Sequence, residues 1–320
     1  MPKFGPTSNP KLDALLENLR NEHFMPVRLL QHEFRLVYKE VNRIRLISNP
    51  LTVNIGGEDF TLTPRSVPPG VPRKKLVQAL GLMKEPSDFD VIPDLLRGYN
   101  EMSSGKSQPG QAVAESMARL VGKAGRTDIL MYIARNADKL LFKFTASTAR
   151  IFVRGFYLKQ KRALEERGVL AVLANTNDFL TLIGKREICI DQEKRLNQDD
   201  VVLGVVLAMF TDFSLKYRSG KDHEETTKRY TLELGSAWAG PEPIKLNGAE
   251  DGVSLTQIKE SVSRAKNQVS TWEPVLEGLL QAKSILKGSE LSPWLEKTSE
   301  ELAGDIARWG EFIEKNSPTL

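Results

Sequence analysis

A single cysteine, Cys189, and three histidines are all that 320 residues offer toward thiol or imidazole chemistry. One thiol excludes an internal disulfide framework and a cysteine-based zinc cluster, and it suits a reducing compartment. His23 and His32 stand nine residues apart and so do not share a helical face, while His223 lies in a polar turn. None has a cysteine or carboxylate companion at metal-ligand spacing, so no metal site and no cofactor is expected. Long apolar runs are missing as well. The longest, VVLGVVLAMF from Val201 to Phe210, is half of the roughly 20 residues that a membrane span needs, and it reads as a buried helix. The opening MPKFGPTSNP leads into an amphipathic stretch with both charge signs rather than into a signal-peptide core. Residues 1–45 hold five acids against eight bases, which gives only thin support to a mitochondrial presequence.

Signatures of common enzymes are absent. There is no Gly-x-Ser-x-Gly elbow and no Gly-x-Gly-x-x-Gly turn. Gly105-Lys106-Ser107 has the ending of a phosphate-binding loop, but Asn100 occupies the position five residues before Gly105 where that loop needs its first glycine. The segment also follows a helical pattern rather than a strand. Cys189, between Ile188 and Ile190, reads as a buried and inert thiol. The chain is therefore expected to be non-catalytic.

What is present is helix. With 40% apolar and 27% charged residues the composition is that of a folded protein with a sizeable core. Residues 1–10 read as a frayed end, after which Asn9-Pro10 opens a helix carrying Leu12, Leu15, Leu16 and Leu19 at helical spacing. A second helix is expected to carry Leu29, Leu30, Phe34, Val37, Tyr38, Val41 and Ile44 on one stripe as far as Pro50. LTVNIGGEDFTLTP is the one clean hairpin signal, with Gly56-Gly57 at the turn, and such a hairpin must lie against a helix or a partner to be stable. Beyond a proline-rich connection, helices are expected from Lys74, from Asp88 or Asp90 to Met102, and after the polar SSGKSQPG loop. Val169–Ile183 reads as one buried helix that Asn175, Asn177 and Asp178 are able to divide. Asp199-Asp200 caps the next helix, from Val201 to Tyr217, with acids at its positive end. Thr226–Trp238, Leu255–Leu286 with Pro274 near its middle, and Pro293–Ile313 complete the pattern. The fold class is mainly α, an irregular helical-hairpin array of α-solenoid character with one small β-hairpin near the N-terminus. Three segments differ in character: 1–73 with helices and the hairpin, 74–238 with a basic centre, and an acidic helical region over 239–320.

The charge pattern carries the functional reading. From Arg119 to Arg167 there are 12 Lys and Arg against 4 Asp and Glu, in a chain whose net charge is only +4. From Lys221 to the end the acids outnumber the bases 17 to 12. On a helix running from Asp128 to Phe144, Arg135, Lys139 and Lys143 stand one turn apart and share a face. Arg150 and Arg154 repeat the device on the following helix, with Lys161 and Arg162 beyond, and Arg119, Lys123 and Arg126 flank the preceding joint. Like charges at this spacing cost a few tenths of a kcal/mol unless an anion answers them. These ten cations are candidate contacts to a phosphate backbone. A solvated face, or one answered by the protein's own acidic C-terminal region, is the competing reading. Tyr132, Phe152, Phe156 and Tyr157 carry rings able to stack on bases, though core packing fits their spacing better. For Trp238, Trp272, Trp294 and Trp309 core packing is likewise preferred to an interface.

GQAVAESMARLVGKAGRTDILMYIARNADKLL, with Gly122, Lys123, Gly125 and Arg126 at a short joint between two helix patterns, resembles a unit of the pentatricopeptide-repeat family. Thr145 would open the next unit, 35 residues after Gly110. More generally the chain is similar to accessory proteins of mitochondrial ribosomes and gene-expression assemblies. The resemblance implies paired antiparallel helices, residence in the mitochondrial matrix or otherwise the cytoplasm, and association with ribosomal or messenger RNA and with protein subunits of a larger assembly. It extends to no regular period before Gly98 or after Gly168, so no base-reading code is carried over. The expected function is that of a non-catalytic, RNA- or ribonucleoprotein-associated helical protein. The alternative is a protein-binding scaffold or assembly factor without direct RNA contact.

Overall fold

The computed structural model describes residues 1–66, 70, 72–102, 110–190, 195–247 and 254–317, the side chain of His223 aside. The loop expected over 103–110, with its Gly105-Lys106-Ser107, falls almost wholly outside these residues, as do parts of the proline-rich connection after residue 66 and of the linker after residue 247. Helices dominate, and among the described residues one antiparallel hairpin is the whole of the sheet structure. The chain divides into two compact units, Met1–Lys143 and Phe144–Leu320.

The first unit begins with α1 (Pro10–Leu19), α2 (Gln31–Tyr38) and α3 (Arg43–Ser48), followed by β1 (Thr52–Ile55) and β2 (Glu58–Thr61). It continues through α4 (Arg73–Leu82), α5 (Ile92–Met102), α6 (Gln111–Lys123), α7 (Thr127–Arg135) and the single-turn α8 (Ala137–Leu140). The first residues are not frayed. The amide and hydroxyl of Ser8 both donate to Asp88, 2.8 Å each, and the Thr7 amide donates to Asp13 at 2.8 Å. Asn9 caps α1 by accepting from the Lys11 amide and reaches the Leu82 carbonyl with its own amide. The expected single helix over Leu29–Ile44 is also broken. Lys39 has extended backbone, and a 3-10 turn over Glu40–Asn42 separates α2 from α3. The break leaves Val37 and Leu46 facing inward while Val41 and Ile44 face outward.

The hairpin pairs Val53 with Phe60 and Ile55 with Glu58 around Gly56-Gly57, both at positive φ (63° and 85°), as a two-residue turn requires. Val53 and Ile55 bury one face among Met25, Val37, Leu46 and Leu62, so the hairpin has the helical support that two strands need.

The second unit comprises α9 (Ala146–Arg162), α10 (Glu166–Ile183), α11 (Asp200–Tyr217), α12 (Thr226–Ala237), α13 (Leu255–Ile285) and α14 (Ser292–Asn316). Its centre is α11, which packs against α9, α10, α12 and α13, while α14 lies along α13. The apolar run starting at Val201 is buried from Val201 to Met209, which explains why the helix has no polar face. Asn175, Asn177 and Asp178 do not divide α10. Asn177 and Asp178 lie on its exposed side, and the buried Thr176 hydroxyl donates back to the Val172 carbonyl. Phe144, Phe152, Phe156 and Phe179 are fully buried and pack ring to ring at centroid distances of 5.0–5.7 Å. Phe152 and Phe156 are thus core residues and not stacking platforms. At the α11–α13 crossing, a Cβ on Gly278 would lie 2.7 Å from the Ala208 nitrogen, so the approach of the two backbones requires glycine. No described helix is long and apolar enough to cross a membrane.

Candidate nucleic-acid interface

Six of the ten candidate cations lie in the first unit. Arg119 and Lys123 are one turn apart on α6, and both are exposed. The joint that follows is a helix C-terminus closed by glycine. The Arg126 amide donates to the Val121 carbonyl and the Gly125 amide to that of Gly122, with Gly125 at φ 72°. This accounts for the Gly-Lys-x-Gly-Arg pattern in local terms: the second glycine supplies the left-handed residue at which α6 ends and α7 begins.

Arg126 is turned to the protein itself. Its guanidinium donates to Asp128 through Nε at 3.0 Å and Nη2 at 2.6 Å, to Asp90 at 2.6 Å and to the Pro86 carbonyl at 2.6 Å. Hydrogen bonding to Asp128, with Asp90 in support and burial opposing, raises its already high pKa further. It fixes the α6–α7 joint to the turn that precedes α5.

Arg135, Lys139 and Lys143 do not share a helical face, which corrects the expectation of one helix from Asp128 to Phe144. α7 ends at Arg135, Asn136 leaves helical geometry, and Leu141 is left-handed at φ 51° after the one turn of α8. Arg135 and Lys139 are exposed, whereas Lys143 is half-buried and outside any helix. The cause lies just beyond, where Phe144 pairs its backbone with Ile188 and Ile190 and inserts its ring among the phenylalanines. Tertiary packing of that ring overrides helix propensity in the preceding residues.

The other four cations lie in the second unit, where the sequence suggested a basic face on α9. Thr145 caps this helix by accepting from the Thr148 amide at 3.1 Å. Arg150 forms a two-pronged pair with Asp199, Nε at 2.9 Å and Nη2 at 2.8 Å, and reaches Asp200 at 3.4 Å. Asp199 in turn caps α11 by accepting from Val202, so one ion pair anchors α9 to the positive end of α11. Burial works against the charge on Arg150, but hydrogen bonding and attraction to Asp199 prevail and raise its pKa. The Arg154 guanidinium donates to the Ser270 hydroxyl, four residues before Pro274. Lys161 donates to Asp212 at 3.2 Å and to Glu277, which also accepts from the Tyr157 hydroxyl. Burial and the bond to Glu277 push the Tyr157 phenol upward. Lys161 is raised by Glu277 and Asp212 despite its burial. Asp212 accepts further from Lys216 at 3.0 Å and from the Gln160 amide at 3.3 Å. Arg162, at the end of α9, is exposed.

Arg126, Arg150, Arg154 and Lys161 are thereby engaged by the protein's own groups. Their partners lie 36 to 116 residues away in sequence, apart from Asp128, which explains why spacing alone did not find them. Arg119 and Lys139 have no ion-pair partner among the described residues. The acidic C-terminal region carries a further group of exposed cations. Lys259 and Lys266 are seven residues apart on α13, hence on one side of it, and are exposed with Arg264 near them. Net charge over the whole region hid this local excess.

Exposed amines and guanidiniums of this kind are able to contact phosphate oxygens. Among the described residues no group of three or more His, Cys, Asp and Glu is disposed to hold a metal ion. Cys189 is buried, with its thiol directed at the Ile183 and Lys185 carbonyls. In comparisons with known proteins, the family described as Mitochondrial ribosomal protein mS27 (Mrp13) matches residues 1–319. No curated protein matches the chain.

Proposed function

Because this chain belongs to the mitochondrial ribosomal protein mS27 family, we propose that it serves as a non-catalytic constituent of the mitochondrial ribosome in the matrix, contacting the phosphate backbone of ribosomal RNA through exposed cations of its first unit. Arg119, Lys123, Arg135 and Lys139 are the residues of this contact. The observation that carries the reading is the exposure of all four side chains on the first unit. Side chains of this kind fix position and register on RNA without reading its bases.

Binding of the full chain to a transcript of mitochondrial ribosomal RNA, followed as a function of salt, tests the proposal. Four phosphate contacts give log K against log salt a slope of about −3. Changing the four residues to glutamate is expected to abolish binding, while Arg162→Gln leaves most of it. Affinity that is independent of salt, or unchanged in the fourfold variant, overturns the direct contact.

The second reading is a protein-binding scaffold within the ribosome, without RNA contact of its own. What favours it is the internal pairing of Arg126, Arg150, Arg154 and Lys161, which consumes much of the basic excess seen in the sequence. A tight, stoichiometric protein complex that survives nuclease, together with no measurable affinity for the transcript, would select it.

A further inference from the structure

The first unit exposes an aliphatic face that its own fold does not use. Val41, Ile44 and Ile47 are 83%, 79% and 61% exposed. They follow one another at three-residue steps through the 3-10 turn and α3, on the side away from Leu46, which is 3% exposed and packed on the hairpin. Isolated exposed aliphatics are ordinary, but several β-branched side chains gathered on one turn and the short helix after it mark an interaction surface.

The surroundings identify what covers it. Lys39 and Arg45 lie within two residues of this stripe in sequence and Arg35 one turn before Lys39; all three are exposed, and none has an ion-pair partner among the described residues. Arg43 reaches Glu40 at 3.3 Å. Residues 27–51 hold five Lys and Arg against two acids. Aliphatic side chains offer neither a ring to stack on a base nor a hydrogen bond to its edge, so the centre of the face is unsuited to RNA. A second copy of the chain would set one basic rim against another. An apolar strip within a cationic rim fits an amphipathic helix with acidic flanks.

We propose that the outward face of α3 docks an acidic amphipathic helix of another ribosomal protein, whose apolar side chains lie on Val41, Ile44 and Ile47 and whose carboxylates meet Arg35, Lys39 and Arg45. This rests on membership of the ribosomal family and is independent of the phosphate contacts assigned above. A photo-crosslinking amino acid placed at Ile44 of the full chain, assembled into mitochondrial ribosomes, gives the test. The expected product is a crosslink to one protein segment with apolar residues at helical spacing and an excess of Asp and Glu. Its yield should fall about tenfold when Lys39→Glu and Arg45→Glu are combined, the size expected when about 1.4 kcal/mol of attraction is lost. A crosslink to RNA, to a second copy or to a segment without acidic residues overturns the proposal, as does no crosslink from chains shown to be in the ribosome. The purified Ile44→Ser, Ile47→Ser variant should melt within about 2 °C of the parent, because these side chains already face water. A large fall would make the face part of the unit's own core and would also sink the idea.

Discussion

Asp88 shows how a single carboxylate can organise a chain terminus. Fully buried, it accepts from the Ser8 amide and hydroxyl at 2.8 Å and from the Lys84 and Glu85 amides at 3.0 Å. Burial alone would raise its pKa, but the four donors outweigh that and hold it at about 2, against 3.8 for a free aspartate. The sign follows from linkage. A depressed pKa stabilises the fold fully above the unfolded value, and this contribution is lost as pH falls from 3.8 toward 2. Asp88→Asn is therefore expected to lower stability by about 2–3 kcal/mol at neutral pH and by much less near pH 2. Urea unfolding of the two proteins across that range checks it, and an equal deficit at every pH would refute the charge-based account. None of this is visible from residue order, since Ser8 and Asp88 stand 80 positions apart. Caps were legible because they are local: Asn9, Thr145 and Asp199 each accept from an amide two or three residues onward.

At the level of elements, the α11–α13 crossing sets the sharpest limit on substitution. The Cβ of any other residue at 278 meets the Ala208 nitrogen at 2.7 Å and the Gly204 carbonyl oxygen at 2.9 Å, both backbone atoms that cannot swing aside. Gly278→Ala should cost about 1–3 kcal/mol and Gly278→Leu more, through displacement of one helix. Thermal unfolding of both variants measures this, and an unchanged melting temperature for Gly278→Leu would contradict the crossing. Apolar periodicity made most helices legible, including α11, buried without interruption from Asp200 to Met209, and the long α13 that continues through Pro274. It failed where helices stop without proline or glycine. Lys39 and Asn136 end their helices with ordinary residues, because hairpin packing in one place and insertion of Phe144 in the other decide the backbone from outside the segment. For the same reason the basic spacing on α9 was legible while its direction was not. Arg150, Arg154 and Lys161 occur at helical intervals, yet their acceptors come from α11, α13 and the turn before α11.

In the whole molecule, each unit owns a core. Leu16, Phe24, Ile92, Tyr99 and Val121 are buried in the first, and the phenylalanine group with Val206, Val275 and Leu302 in the second. Fragments covering 1–143 and 144–320 are thus expected to fold separately, each with a cooperative urea transition and the helicity of its part of the intact chain. A fragment that remains unfolded by circular dichroism would show that its unit depends on the rest of the protein. Membership of a mitochondrial ribosomal protein family points to a structural role. The exposed side chains of α3 also bear on the life of the molecule before it reaches a ribosome. Val41, Ile44 and Ile47 are exposed in the free chain, and under the docking proposed above they stand in water only until it is assembled. In that interval they display the kind of aliphatic patch by which chaperones and proteases recognise unfinished proteins. A chain made in excess of its partner would keep that patch uncovered and be cleared, so the abundance of this protein would follow the supply of the helix that shields it.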